Sequence, residues 1–191
     1  MIKVAVTGGI GCGKSFICQM LEHRGIHVYD CDKAAKRIMS LSREVQSRLV
    51  DVVGKNVIVD GRVNKPVLAE YLLKNESNAQ RINQIVHPAV AEDFVSSGYS
   101  WMECALLFSS GFNKLVDKVI CVTAPLGVRI DRIMQRDGIS REKALEWIEC
   151  QMPQDEVKAL SDYEIVNDES EGLDMQISSI LASLESIDAI K

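Results

Sequence analysis

Residues 7–15, TGGIGCGKS, follow an apolar run at 2–6 and precede a stretch, 15–23, whose apolar positions recur at helical spacing. Few short sequences restrict a fold more, because a strand must deliver a tight glycine turn that opens directly into a helix. Gly8, four intervening residues, then Gly13-Lys14-Ser15 satisfy GxxxxGK(S/T) in full. The glycines let consecutive backbone N–H groups face inward on an anion, and the helix N-terminus adds its dipole. Lys14 then extends toward the outer phosphates of a nucleoside triphosphate, and the Ser15 hydroxyl suits Mg2+. A dinucleotide-binding crossover competes, since Asp30 and Asp32 lie roughly 20 residues past the glycines, where a ribose-binding carboxylate would fall. The spacing excludes it: after Gly9 and Gly11 that fingerprint needs glycine at position 14, where this chain has lysine.

The interval 2–30 has the length of one βαβ unit. With its two strands parallel, Gly8 and Asp32 are expected at one carboxyl edge of the sheet, where α/β proteins place their ligands. A carboxylate there can orient an acceptor hydroxyl and take its proton late in a phosphoryl transfer. Asp32, at the strand's far end, is the candidate for that role, although the pattern alone fits a helix N-cap equally well. Asp30 is assigned to capping the following helix or supporting the site.

Apolar runs at 2–7, 25–30, 100–108 and 117–124, with a weaker one at 163–167, predict a parallel sheet covered on both faces, hence an α/β class. The segment 32–98 breaks that rhythm with helices around 34–39, 44–53, 66–74, 78–86 and 88–97, interrupted only by the hairpin-like or turn-like VIVDGRVN. It reads as an insertion building a separate wall. A helix at 125–135 leads into the polar, arginine-bearing QRDGISREKALEWIECQMPQDEVKAL, expected to be mobile, and a last helix at about 171–190 closes the fold.

A chain of 191 residues suits one well-buried domain, possibly with an insertion. Its 22 basic against 27 acidic residues, net -5, argue against coating nucleic acid by bulk charge, so any anion must be held locally. No apolar stretch approaches the roughly 18 residues of a membrane span, and MIKVAVTGG shows no leader pattern, so a cytoplasmic location is expected. The six cysteines form no CxxC pair and read as free structural thiols, and His23 and His27, flanking Gly25, read as turn and surface residues rather than metal ligands.

VTGGIGCGKS followed by YDCD, VHP at 86–88, ALLF at 105–108, QRD at 135–137 and QMPQDEVKALSDYEIVND at 151–168 together resemble the dephospho-CoA kinase family over essentially the whole chain. The resemblance implies a P-loop NTPase fold, a parallel sheet flanked by helices, carrying a helical substrate-binding insertion and a mobile lid. One domain over 1–191 is then expected, with a nucleotide-binding core at about 1–31, 99–136 and 161–191, an acceptor-binding insertion at 32–98 and a lid at 137–160. It also implies ATP-dependent phosphorylation of the ribose 3′-hydroxyl of dephospho-CoA, giving CoA and ADP, with Mg2+ and with no nucleic-acid or membrane partner.

By position, the resemblance makes Gly8, Gly11, Cys12, Gly13, Lys14, Ser15 and Phe16 ligands of ATP, joined by Arg136, with Asp32 and Lys14 catalytic. Asp32, Lys36 and His87 fall on the acceptor side, where His87-Pro88 is equally a proline-held helix start. A lid excludes water from a reactive phosphoryl group and brings cations onto it. Arg136 and Lys158 are the foremost carriers, with Arg132 and Arg141 behind, each alone more often a solvated surface charge. Glu103, near a strand end, is a candidate for a magnesium-bound water or a structural role.

The chain departs from the family pattern at five of the positions read. Phe16 replaces a threonine, Lys36 an arginine, Ala105 a proline, Ser109 a glutamate, and Trp147 a frequent lid arginine, where an aromatic can pack or stack on adenine. The rival reading is another small-molecule P-loop kinase, acting on a nucleoside monophosphate or other hydroxyl acceptor. A GTP-dependent switch is disfavoured: the NK at Asn64-Lys65 lacks the aspartate of NKxD.

Overall fold

Apolar residues without alternation belong in a strand buried on both faces, and the run after the N-terminus becomes one: β1 (Val4–Thr7), all four residues buried. The computed structural model describes residues 2–168 and 172–189. After β1 the glycine loop opens into α1 (Lys14–Glu22), which buries Ile17, Cys18 and Leu21, and the chain proceeds to β2 (Val28–Asp30). Two compact units follow from the contacts, 1–28 with 100–191, and 29–99.

The unit 29–99 holds α2 (Cys31–Leu41), α3 (Arg43–Val53), a hairpin of β3 (Ile58–Val59) and β4 (Arg62–Val63), α4 (Lys65–Lys74) and α5 (Glu76–Ser96). Side-chain caps start three of these helices: Asp30 accepts from Lys33 N–H, Ser42 from Val45 N–H and Asn75 from Asn78 N–H. The hairpin pairs Ile58 with Val63 and Val59 with Arg62 around Asp60-Gly61, both at positive φ, as a two-residue loop requires. The stretches expected as separate helices at 78–86 and 88–97 are one helix, because the buried stripe Ile82, Ile85, Val86, Val90 and Phe94 runs through Pro88 unbroken. Packing along that stripe outweighs the single N–H that proline removes.

The other unit resumes with β5 (Trp101–Glu103), β6 (Lys118–Thr123), α6 (Leu126–Asp137), α7 (Arg141–Glu149), α8 (Gln154–Ala159), β7 (Tyr163–Val166) and α9 (Leu173–Asp188). The sheet order is β2-β5-β1-β6-β7, and β1 pairs in parallel with β5 on one side and β6 on the other, with β7 parallel beside β6. Val6 stands opposite Glu103 and Ile120. Its core joins Val4, Val6, Ile17, Leu21, Ile120 and Val122 to Ile177, Ile180 and Leu184 of α9. Positions 171 and 190, the expected ends of the last helix, lie outside the described residues.

One expectation changes here, and one stretch gains detail. The run 100–108 is strand only to Glu103, after which 105–110 form turns whose bonds include Ser110 N–H to Leu106 O at 2.8 Å. The polar stretch 137–160 is mostly helical. Ser140 caps α7, and Ala144 packs with Ile130 and Ile133 of α6 in a small apolar cluster that also takes in Trp147 and Ile10. Trp147 is thus a packing residue of the α6–α7 pair. Among the described residues no helix is long and apolar enough to cross a membrane, and no cluster of metal-ligating side chains forms.

Candidate active site

The loop between β1 and α1 has the backbone its glycines permit. Gly8 lies at φ +142°, and a Cβ there would overlap the Val122 carbonyl of β6, so only glycine lets the loop leave the sheet so close to its neighbour. Gly13, left-handed at φ +86°, is the N-cap of α1, and a Cβ on it would collide with the Asn167 carboxamide. Lys14, Ser15 and Phe16 then fill the first turn, so the N–H groups of Lys14 and Ser15 belong to the open end of the helix. Phe16 N–H turns back to Gly13 O at 3.0 Å. Cys12 is buried, and the Phe16 ring is exposed.

The loop side chains are already arranged. Lys14 Nζ donates to Gly9 O at 3.4 Å, folding the ammonium over the loop. Ser15 Oγ donates to Glu103 Oε1 at 3.5 Å, a contact that follows from β5 lying next to β1. These two oxygens, one hydroxyl and one carboxylate, are hard donors of the kind Mg2+ takes.

Around the loop stand Arg132, already a candidate cation, and residues that motif reading did not single out. Arg129 of α6 is buried and donates Nε–H to Ile10 O at 2.9 Å. Arg132 donates to Gly11 O at 3.3 Å and to Asn167 O at 3.2 Å, and Asn167 Nδ2 reaches Cys12 O at 2.9 Å. Gln151 accepts from Ile10 N–H at 2.7 Å, and Gln154 accepts from Ala124 N–H at 3.1 Å. One signal pointed to Arg129: it precedes Arg132 and Arg136 at i, i+3, i+7, one face of a helix. Asn167 and the two glutamines lie in the quoted stretch 151–168, but no spacing marked them individually, since their contacts span more than a hundred residues or cross between strand ends.

The expected lid cations sit elsewhere. Arg136, exposed in the last turn of α6, donates to the carboxylate of its neighbour Asp137 at 2.7 Å. Arg141 is exposed in the first turn of α7. Lys158 pairs with Glu164 at 2.7 Å, and Thr123 Oγ1 donates to the same carboxylate at 2.8 Å. Burial alone would raise the Glu164 carboxyl, but these two bonds hold it below the ordinary range. Ser109 is exposed, its hydroxyl turned onto Leu106 O at 3.2 Å. A recess of about 130 Å³ opens between the loop and Ala105, Phe108, Ser109 and Met152. At about 30 Å³ per water it holds a few solvent molecules and no nucleoside.

In the unit 29–99, Asp32 lies in the first turn of α2, two residues past the strand end, and is exposed; the cap itself is Asp30, whose Oδ1 accepts from Lys33 N–H at 2.9 Å. Lys36 follows one turn later, on the same face. Tyr29 and Arg37 flank this turn and converge on Asp93 of α5, at 2.7 Å from the phenol and 2.6 Å from the guanidinium. His87 sits within α5, not at a helix start, and burial pushes its imidazole below the ordinary histidine range, toward the neutral form. A groove of about 650 Å³ runs between α2, α3 and α5, lined by Arg37, Arg48, Glu44, Asp93, Leu41 and Pro88, a size that suits an extended small molecule.

A sequence model described as CoaE, dephospho-CoA kinase, matches residues 2–172. A Bacteroides fragilis protein named dephospho-CoA kinase is 36% identical over 194 residues, covering 96% of this chain and 93% of its own. Among solved structures, a Thermus thermophilus protein superimposes with a TM-score of 0.81 at 29% identity, over 96% of this chain and 97% of that one. A dephospho-CoA kinase from Campylobacter jejuni, 22% identical and covering 97% and 98%, gives 0.69 and so shares the fold.

Proposed function

The chain belongs to the dephospho-CoA kinase family, and from that premise we propose that it transfers the terminal phosphoryl group of ATP to the 3′-hydroxyl of the ribose of dephospho-CoA, releasing CoA and ADP. The observation that carries this reading is the complete GxxxxGKS loop in its working setting: strand before it, helix after it, Lys14 and Ser15 in the first helical turn.

In this reading the loop N–H groups and the N-terminus of α1 hold the phosphate chain, and Lys14, kept over the loop by Gly9 O, meets the outer phosphates, where charge builds as the bond to the leaving oxygen lengthens. Ser15 and Glu103 are the residues that would hold Mg2+, which when bound neutralises phosphate charge. Arg132, beside Gly11 O, adds positive charge at the loop, and Arg136, Arg141 and Lys158 are the cations available to a closing lid.

The acceptor is assigned to the unit 29–99. Asp32 orients the 3′-hydroxyl and accepts its proton as the new oxygen–phosphorus bond forms and the bond to the ADP oxygen breaks. Its exposed carboxylate, freed from capping because Asp30 does that, supports the role. Lys36 and His87 are the acceptor-side contacts, His87 as a neutral imidazole.

The purified protein with Mg-ATP is expected to convert dephospho-CoA to CoA, read by a CoA-specific assay. Lys14→Ala and Asp32→Asn should each lower the rate by about a thousandfold, a loss typical of a group acting on transition-state charge or the transferred proton. ATP binding should survive better in Asp32→Asn. Turnover of AMP or shikimate with none of dephospho-CoA would overturn the acceptor assignment.

A further inference from the structure

One peptide group of the loop is held from both sides. Its carbonyl, Gly9 O, accepts from Lys14 Nζ at 3.4 Å, and its N–H, on Ile10, donates to Gln151 Oε1 at 2.7 Å. In a planar trans peptide the C=O and N–H point in opposite directions, so neither can turn without turning the other. The following carbonyl, Ile10 O, is fixed separately by Arg129 Nε at 2.9 Å, and Gly9 O also accepts from Cys12 N–H at 3.3 Å, so what Gln151 adds is the hold on the N–H side of the Gly9–Ile10 group. Gln151 arrives from the connection between α7 and α8, and that connection is pinned a second time by Gln154 on Cys12 Sγ, at 3.4 Å, and on Ala124 N–H.

We infer that Gln151 is a positioning residue for Lys14, acting across the Gly9–Ile10 peptide. Its carboxamide oxygen sets the peptide plane, the plane aims Gly9 O at the ammonium, and the ammonium is thereby kept over the loop where the outer phosphates arrive. Part of the sequence expected to be a lid is on this account wired to the loop lysine through a single peptide group. The inference rests on the reading of the loop as an ATP site, and it goes beyond that reading in assigning a residue outside the motif.

The test is a double-mutant cycle on Mg-ATP affinity, measured by titration calorimetry in the full chain without the acceptor. Gln151→Met keeps the length of the side chain and removes the acceptor oxygen. It should weaken ATP about tenfold in the unaltered background and less than about twofold with Lys14→Ala, because the second change has already removed what Gln151 acts through. The same loss in both backgrounds would overturn the inference, since a merely structural effect adds. Hydrogen exchange in the unaltered protein decides independently of how the variant folds: the Ile10 amide should be protected, and exchange at the unprotected rate would overturn the proposal. Failure of the unaltered protein to bind ATP would remove the loop reading and this inference together, whereas equal factors remove only the latter.

Discussion

Gly13 shows how much one residue can be asked to do. It caps α1 in a left-handed conformation and its bare Cα admits the Asn167 carboxamide, which in turn holds Cys12 O. Gly13→Ala should therefore cost about 1–2 kcal/mol for the backbone alone, with a further loss from displacing Asn167, and weaken ATP at least tenfold. Urea denaturation and nucleotide titration check the two effects separately. Asp93 poses a second residue-scale case. Burial by itself would raise its carboxyl, but the bonds from Tyr29 and Arg37 hold it below its ordinary 3.8. A lowered carboxyl stabilises the fold fully above its unfolded value, and that contribution is lost as pH falls through the folded one. Asp93→Ala should thus destabilise by about 1–3 kcal/mol near neutral pH, leaving the Tyr29 hydroxyl only its longer bond to Val90 O, at 3.4 Å. The gap to the unaltered protein should narrow in urea titrations carried below pH 3.8. The role of Asp30 as a cap was legible in the sequence from its place before a helix; the convergence of Tyr29 and Arg37 on Asp93 was not, because those partners are 64 and 56 residues away.

At the level of elements, α5 and the α6–α7 pair carry the lessons. Proline read locally ends a helix, yet α5 continues through Pro88 because the stripe from Ile82 to Phe94 is buried on both sides of it. Pro88→Ala should stabilise the protein by up to about 3 kcal/mol in thermal or urea unfolding by restoring one backbone bond. The stretch after α6 was legible only in part: its many charges mark a polar surface, while Ala144, Ile139 and Ile148 among them supply an inner face against Ile130 and Ile133. Ile133→Ala should cost about 2–5 kcal/mol and red-shift the fluorescence of Trp147, which packs on this cluster, measured with Trp101 replaced by Phe.

Over the whole molecule, the two units give a prediction at their own scale: Mg-ATP should slow hydrogen exchange at 8–16 and in 129–154, and dephospho-CoA should slow it within 29–99. Thiol reactivity checks the packing of both. None of the six cysteines is in a disulfide, only Cys150 is exposed, and burial pushes Cys121 up to about 12, so one thiol should label rapidly in the native protein and the rest only on unfolding. Sequence alone determined the strand–loop–helix order of the first 23 residues, the parallel α/β class, the change to helices near residue 30 and the Asp60-Gly61 hairpin, because each depends on neighbours along the chain: a period, a turn residue, a cap. Only the tertiary structure decided which side chains clasp the loop. Arg129, Gln151 and Asn167 reach it from α6, the α7–α8 connection and the end of β7, and a contact made by elements far apart in the chain leaves no spacing in the sequence to read.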